Sequence, residues 1–170
     1  MIISGQKILL KPFCFEDINE QYLRWLSDNE VMQYSNQRFV KHSLESCMLY
    51  LENFKNSDNL FLAIKLKENN KLVGTTTAYI SFNHLTADLG LLIGDKSLWG
   101  EGLGSDTWLA LTSHLFNEVG IRKITAGTLR NNIGMVRVIE KIGMHLEGVK
   151  KRHEIVDGTE QDILLYAKFS

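Results

Sequence analysis

Along the chain the spacing of hydrophobic positions switches between two periods, and the switches mark out the elements. The short stretch "QKILLK" (6–11) predicts a first strand. In "FEDINEQYLRWLSD" (15–28), Ile18, Tyr22, Trp25 and Leu26 recur at helical spacing, and Asp28 and Asn29 end the run. A second helix is predicted from Ser43, an N-cap serine with an acidic residue in the turn that follows. The period then becomes that of strands. "NLFLAIKL" (59–66) and "KLVGTTTAYI" (71–80) flank the polar turn "KENN". "TADLGLLIG" (86–94) is a third strand, and its almost wholly apolar second half predicts burial on both faces. A glycine-rich stretch leads into a helix running to about Val119, with Gly120 as its stop. "RKITAGTL" (122–129) reads as a strand and "NIGMVRVIEKIG" (132–143) as a helix closing on Gly143. The chain ends in two strands flanking Asp157-Gly158, a strong hairpin signal. The order β-α-α-β-β-β-α-β-α-β-β predicts a mixed α/β (α+β) fold with helices on the faces of its sheet. It holds too many hairpins for a doubly wound fold.

One proline in 170 residues and no break in composition predict a single domain, 1–170. The unbroken apolar runs are far shorter than the roughly 20 residues that span a bilayer. The first residues carry no basic region followed by a long apolar one, so a cytoplasmic protein without a membrane partner is expected. The formal charge of −1, with both signs interspersed, argues against a surface for nucleic acid. Cys14 and Cys47 lie far apart, which predicts reduced thiols. Neither they nor His42, His84, His114, His145 and His153 show the spacing of metal ligands, and no metal site is expected.

The candidate chemistry begins with "IGDKSLWGEGLGSDTWLAL" (93–111), where Gly100, Gly102 and Gly104 precede a helix. Each glycine inside a helix costs about 1 kcal/mol relative to alanine. Glycine also permits positive φ and close approach of the backbone to a ligand. The first N–H groups of a helix have no internal partner and sit at the positive end of its dipole. A glycine-rich turn feeding a helix therefore makes a phosphate cradle from main chain alone. A plain tight turn is the alternative. No Gly-Lys pair occurs, which excludes a P-loop, and Ser105 stands where a dinucleotide fingerprint needs its third glycine.

"WGEGLG" resembles the Q/R-x-x-G-x-G/A pyrophosphate loop of the GNAT family of N-acetyltransferases, with Trp99 at the usual Gln/Arg position. "NNIGMVRVIEKIGMHLEG" is similar to the N-x-x-S-x-R-V-x-E-K-x-G-F-x-x-E-G pattern of its ribosomal-protein N-terminal acetyltransferase subfamily. "RWLSDNEVMQY" and "DGTEQDILLYA" extend the likeness to nearly the whole chain. The resemblance implies about seven strands in a mostly antiparallel sheet, about four helices, and acetyl-CoA as co-substrate. It implies cofactor binding through Trp99, Gly100, Glu101, Gly102, Leu103, Gly104, Ser105 and Asn132. It also implies that the pantetheine arm pairs with the backbone of Leu91, Leu92 and Ile93.

Transfer of an acetyl group to an amine needs a neutral amine and an acid for the leaving thiolate. Asp88 is the candidate base. It stands eleven residues before Trp99, where histone-acetylating relatives carry a glutamate; a structural carboxylate is the alternative. The position of the family's acidic tyrosine falls on Ile139, and its small-residue position on Met135. Tyr166 is the substitute candidate, or else a core residue. Tyr34 and Arg38, in a segment that roofs the acceptor site in relatives, and His84 are candidate acceptor contacts; a solvated loop is the alternative. The implied acceptor is a protein N-terminal amine or a small-molecule amine, with an amino sugar on a nucleotide or a non-catalytic acyl-CoA sensor as alternatives. A monomer or homodimer is expected.

Overall fold

The computed structural model describes residues 1–170. Its core is one eight-stranded sheet in the order β1-β2-β3-β4-β5-β6-β8-β7. The strands are β1 (Ile3–Ser4), β2 (Ile8–Pro12), β3 (Leu60–Leu66), β4 (Leu72–Ser81), β5 (Thr86–Ile93), β6 (Lys123–Leu129), β7 (His145–Val156) and β8 (Thr159–Phe169). Every pairing is antiparallel except β5 with β6. The helices are α1 (Glu20–Ser27), α2 (Leu44–Lys55), α3 (Leu103–His114) and α4 (Ile133–Lys141). The added strand is the two-residue β1, held by its hairpin with β2. No helix is long and apolar enough to cross a membrane.

Local chemistry explains the boundaries. Phe15–Asp17 form a 3-10 turn, and α1 starts only after Asn19, whose side chain accepts the Tyr22 N–H at 2.9 Å. The helical spacing predicted from residue 15 thus spans a turn and a capped helix. Ser43 and Ser46 cap α2 reciprocally. After His114 the helix widens into a π turn, Leu115–Val119, and ends on Gly120 at φ 81°. Asp157 and Gly158 both take positive φ, the requirement of the tight turn that joins twisted strands.

Two apolar layers cover the sheet. The larger, on the α3/α4 face, holds Ile8, Leu10, Leu62, Ile64, Trp108, Leu111 and Ile139. The smaller lies under α1 and α2 around Phe13, Tyr22, Trp25 and Phe61. On that same face Asp17 is buried, with Lys65 Nζ 2.7 Å from its carboxylate.

Burial on both faces, predicted for the second half of β5, is not observed: Leu91, Leu92 and Ile93 are only half-buried. The reason is the sheet itself. β5 and β6 pair only at Thr86, Ala87 and Asp88, opposite Lys123, Ile124 and Thr125. Beyond Asp88 the two strands diverge and leave a wedge.

Candidate active site

The wedge is lined by backbone as well as side chains. Gly94 N–H donates to the Val73 carbonyl at 3.0 Å, so Leu92 and Gly90 also turn their peptide groups toward β4. By strand alternation Leu91 and Ile93 turn theirs toward the gap. The Ile93 carbonyl is taken by the Trp99 indole N–H at 2.8 Å.

At the mouth of the wedge, Gly102 caps α3 in the left-handed region, φ 81° and ψ 10°. The helix's first internal bond runs from Asp106 N–H to the Gly102 carbonyl, 3.0 Å. The N–H groups of Leu103, Gly104 and Ser105 precede that bond and have no acceptor within the helix. A Cβ at Gly100 (φ 85°) or Gly102 would meet no atom within 4 Å, so these glycines are required for backbone conformation. Gly104 differs. A Cβ there would lie 3.0 Å from Leu91 Cδ2 and 3.1 Å from Val138 Cγ2, so this glycine lets α3 approach β5 and α4.

Two contacts invisible in the sequence pattern brace this turn. The Asp106 carboxylate accepts the N–H groups of Gln6, Lys7 and Ile8 at 2.7, 2.7 and 3.2 Å. Lys7 Nζ donates to the Glu101 carbonyl at 2.9 Å, which places a cation beside the free N–H groups. The donor set, a left-handed glycine turn with orphan N–H groups and a nearby lysine, fits a pyrophosphate.

Asp88 stands where the wedge closes. Its Oδ1 accepts from Thr125 Oγ1 at 2.6 Å. Although Asp88 is an exposed residue, its carboxyl is crowded by the strands around it. That desolvation raises its pKa above the usual carboxylate value, outweighing the Thr125 hydrogen bond, which lowers it.

The structure does not bring Tyr166 to this carboxylate. Tyr166 pairs with Ala126 on β6, whereas Asp88 pairs with Thr125, one residue earlier, so the two side chains lie on opposite faces. Tyr166 is buried in the α3/α4 core, and its hydroxyl donates to Glu140 Oε1 at 3.3 Å. Ile139 is fully buried and Met135 half-buried. Asn132 caps α4 through Oδ1, 3.2 Å from Met135 N, leaving its amide N–H groups for other partners.

Of the acceptor-side candidates, Arg38 is a strap. Its guanidinium donates to the carbonyls of Ser35 (2.8 Å) and Ile155 (3.3 Å) and to Asn36 Oδ1 (3.3 Å), while Asn36 Nδ2 donates to Glu154 at 3.0 Å. These bonds tie the segment before α2 to the β7–β8 hairpin. Tyr34 is half-buried in the turn before that segment. His84 lies in the β4–β5 turn at the closed end of the wedge, where its carbonyl accepts from Arg122 Nε at 2.9 Å.

The same architecture occurs in known proteins. The sequence pattern described as "Acetyltransferase (GNAT) domain" matches residues 7–145. A "Probable N-acetyltransferase YjcK" of Bacillus subtilis is 27% identical over 170 residues, covering 95% of this chain and 93% of the relative. An acetyltransferase (GNAT family) from Bacillus anthracis superposes with a TM-score of 0.84 at 25% identity, over 99% of this chain and 98% of that one. RimJ of Mycobacterium smegmatis, solved with a CoA-disulfide, superposes at 0.85 with 20% identity, over 100% and 88% of the two chains.

Proposed function

The chain belongs to the GNAT family of acetyltransferases, and from that premise we propose that it transfers an acetyl group from acetyl-CoA directly to a primary amine, with Asp88 as the base. The acceptor is a protein N-terminal amine or a small-molecule amine. The observation that carries the reading is the continuous path from the Gly102 turn, along the open edge of β5, to the Asp88 carboxylate.

Bound acetyl-CoA supplies a thioester already activated toward amines. The N–H groups of Leu103, Gly104 and Ser105 hold the pyrophosphate, with Lys7 adding positive charge. The peptide groups of Leu91 stand in for the missing strand and align the pantetheine arm, and Asn132 Nδ2 reaches it from the start of α4. Asp88 takes the proton from the incoming ammonium, directly or through one water. Its raised pKa suits this task, because a base closer to neutrality is more effective at physiological pH. Ile139 and Tyr166 have no role in proton donation, so solvent returns the proton to the leaving sulfur.

Incubating the protein with acetyl-CoA and a panel of primary amines, with free thiol as the readout, tests the transfer. Asp88→Asn lowers turnover about 10²- to 10⁴-fold, the range for loss of a general base. It leaves acetyl-CoA affinity unchanged and is partly rescued at high pH. The fold holds the ionised form of Asp88 at a disadvantage, and that disadvantage develops as pH rises through the ordinary carboxylate range. Removing the charge therefore does not lower the melting temperature at pH 7. Undiminished turnover in the variant refutes Asp88 as base, and the absence of amine-dependent thiol release across the whole panel refutes the transfer.

A further inference from the structure

The face of the sheet that carries Asp88 also carries a pair of tyrosines that the acetyl-transfer scheme leaves unused. Tyr79 of β4 is the cross-strand partner of Asp88. The Gly94–Val73 bond sets the parity of the ladder and makes 79 and 88 a hydrogen-bonded pair, with Cα atoms about 5.5 Å apart. Tyr50 reaches the same place from α2, and its hydroxyl lies 2.9 Å from that of Tyr79. On the other flank of Asp88 stands Thr125. Asp88 thus has a tyrosine beside it on one neighbouring strand and a hydrogen-bonded threonine on the other.

The tyrosines end an aromatic ladder. Tyr50 packs edge-on against Phe54 and Phe61, at 5.2 and 5.3 Å between ring centroids, and Phe54 lies 5.8 Å from Tyr79. Phe61 at the inner end is buried, whereas Tyr50 and Tyr79 keep 37% and 44% of their surface. Burial and the Tyr79 hydroxyl push the Tyr50 phenol well above its ordinary pKa, so it remains a neutral hydroxyl. Two partly exposed tyrosines with joined hydroxyls therefore stand on the same sheet face as a carboxylate.

This set matches one kind of ligand group. A carboxylate balances the charge of an alkylammonium, a hydroxyl accepts one of its N–H groups, and aromatic faces attract the polarised carbons beside the nitrogen. A phosphorylated acceptor would instead need a cation. Lys123, two residues from Thr125 on the same face of β6, is paired with Glu147, and Arg38 is engaged with Ser35, Asn36 and Ile155.

The structure assigns Tyr79 and Tyr50, together with Asp88, as the ammonium-binding subsite of the acceptor, selecting primary amines that arrive protonated on an unphosphorylated carbon chain. The assignment rests on the acetyl-transfer reading for calling that amine an acceptor, and on the side-chain geometry alone for the cation.

Hexylammonium, a primary alkylammonium that protein loaded with CoA rather than acetyl-CoA leaves unmodified, is the probe, with 1-hexanol as its neutral counterpart. Calorimetry is done on the protein saturated with CoA. The cation binds and the alcohol does not. Tyr79→Leu weakens the cation about tenfold, in line with a partly desolvated cation–π contact. Tyr79→Phe and Tyr50→Phe, which keep the rings and the fold, weaken it about threefold, in keeping with one modest hydrogen bond. With any amine of the panel that turns over, Tyr79→Leu raises the acceptor KM by the same factor and leaves the acetyl-CoA KM unchanged, which a merely structural role would not do. Equal binding of cation and alcohol, no binding of the cation, or unchanged affinity in the two phenylalanine variants overturns the subsite. Thiol release with an unchanged acceptor KM in folded Tyr79→Leu also overturns it while sparing the transferase. Cation binding without thiol release from any amine does the reverse.

Discussion

Replacing Gly102 by alanine isolates the conformational demand of the cradle, because nothing else changes there. The added Cβ meets no atom within 4 Å, so the substitution creates no clash and loses no contact. What remains is the left-handed backbone at φ 81°, which costs an L-residue with a Cβ about 1–2 kcal/mol. In a chain of this size 1 kcal/mol moves the melting temperature by about 2–4 °C, so Gly102→Ala lowers it by about 2–8 °C. Asparagine enters this region more readily, and Gly102→Asn falls between alanine and the parent. Gly104→Ala behaves differently. Its backbone is helical, and alanine gains up to about 1 kcal/mol in propensity there, set against displacement of the flexible ends of Leu91 and Val138. Its melting temperature stays close to that of the parent. Thermal melts followed by circular dichroism, with and without saturating CoA, read both properties, because a ligand bound only to the folded state raises the melting temperature according to its affinity. The CoA-induced rise shrinks in Gly102→Ala, where the cap no longer aims the N–H groups. A Gly102→Ala protein as stable as the parent, with the full CoA response, refutes the reasoning.

Two further outcomes follow from the charged groups. Lys65→Met strands the buried Asp17 carboxylate and costs about 3–5 kcal/mol in chemical denaturation, as breaking a buried ion pair does; a loss under about 1 kcal/mol means that water reaches the pair. Asp95 is held below the usual carboxylate range by Lys71, 2.7 Å away, and by Ser97. A depressed pKa stabilises the fold above the unfolded-state value, and that contribution disappears as pH falls through the folded one. The melting temperature of Lys71→Met therefore falls less steeply than the parent's between neutral pH and strong acid, and parallel curves would count against the pair.

The order of elements was legible because each announces itself over a few consecutive residues: the 3.6 period of α4, the caps of α2, the Asp157-Gly158 turn. What escaped depends on partners distant in sequence. An apolar run such as "LGLLI" reads alike in a strand buried on both faces and in one that borders a gap, and only the loss of pairing after Asp88 separates them. Tyr166 looked available because strand periodicity gives two faces without saying which one the cleft occupies; register with Ala126 decides it. Gly102 and Gly104 read alike as letters, yet one answers to φ and the other to the neighbouring side chains. Arg38 and Lys7 carry the expected charge, but their carbonyl partners on β7 and in the glycine turn carry no mark in the sequence. The pairing of Tyr50 with Tyr79 joins a helix to a strand and has no local signature at all.

The bond from the Trp99 indole to the Ile93 carbonyl also gives the molecule an optical property. Trp25 and Trp108 are 6% and 1% exposed, whereas Trp99 is 43% exposed. Red-shifted, acrylamide-quenchable emission therefore comes from one indole, anchored on the open edge of β5, over a shielded background from the other two. Filling or emptying of the gap between β5 and β6 changes the surroundings of that indole directly. The intrinsic fluorescence of the unlabelled protein is thus a gauge of how the wedge is occupied.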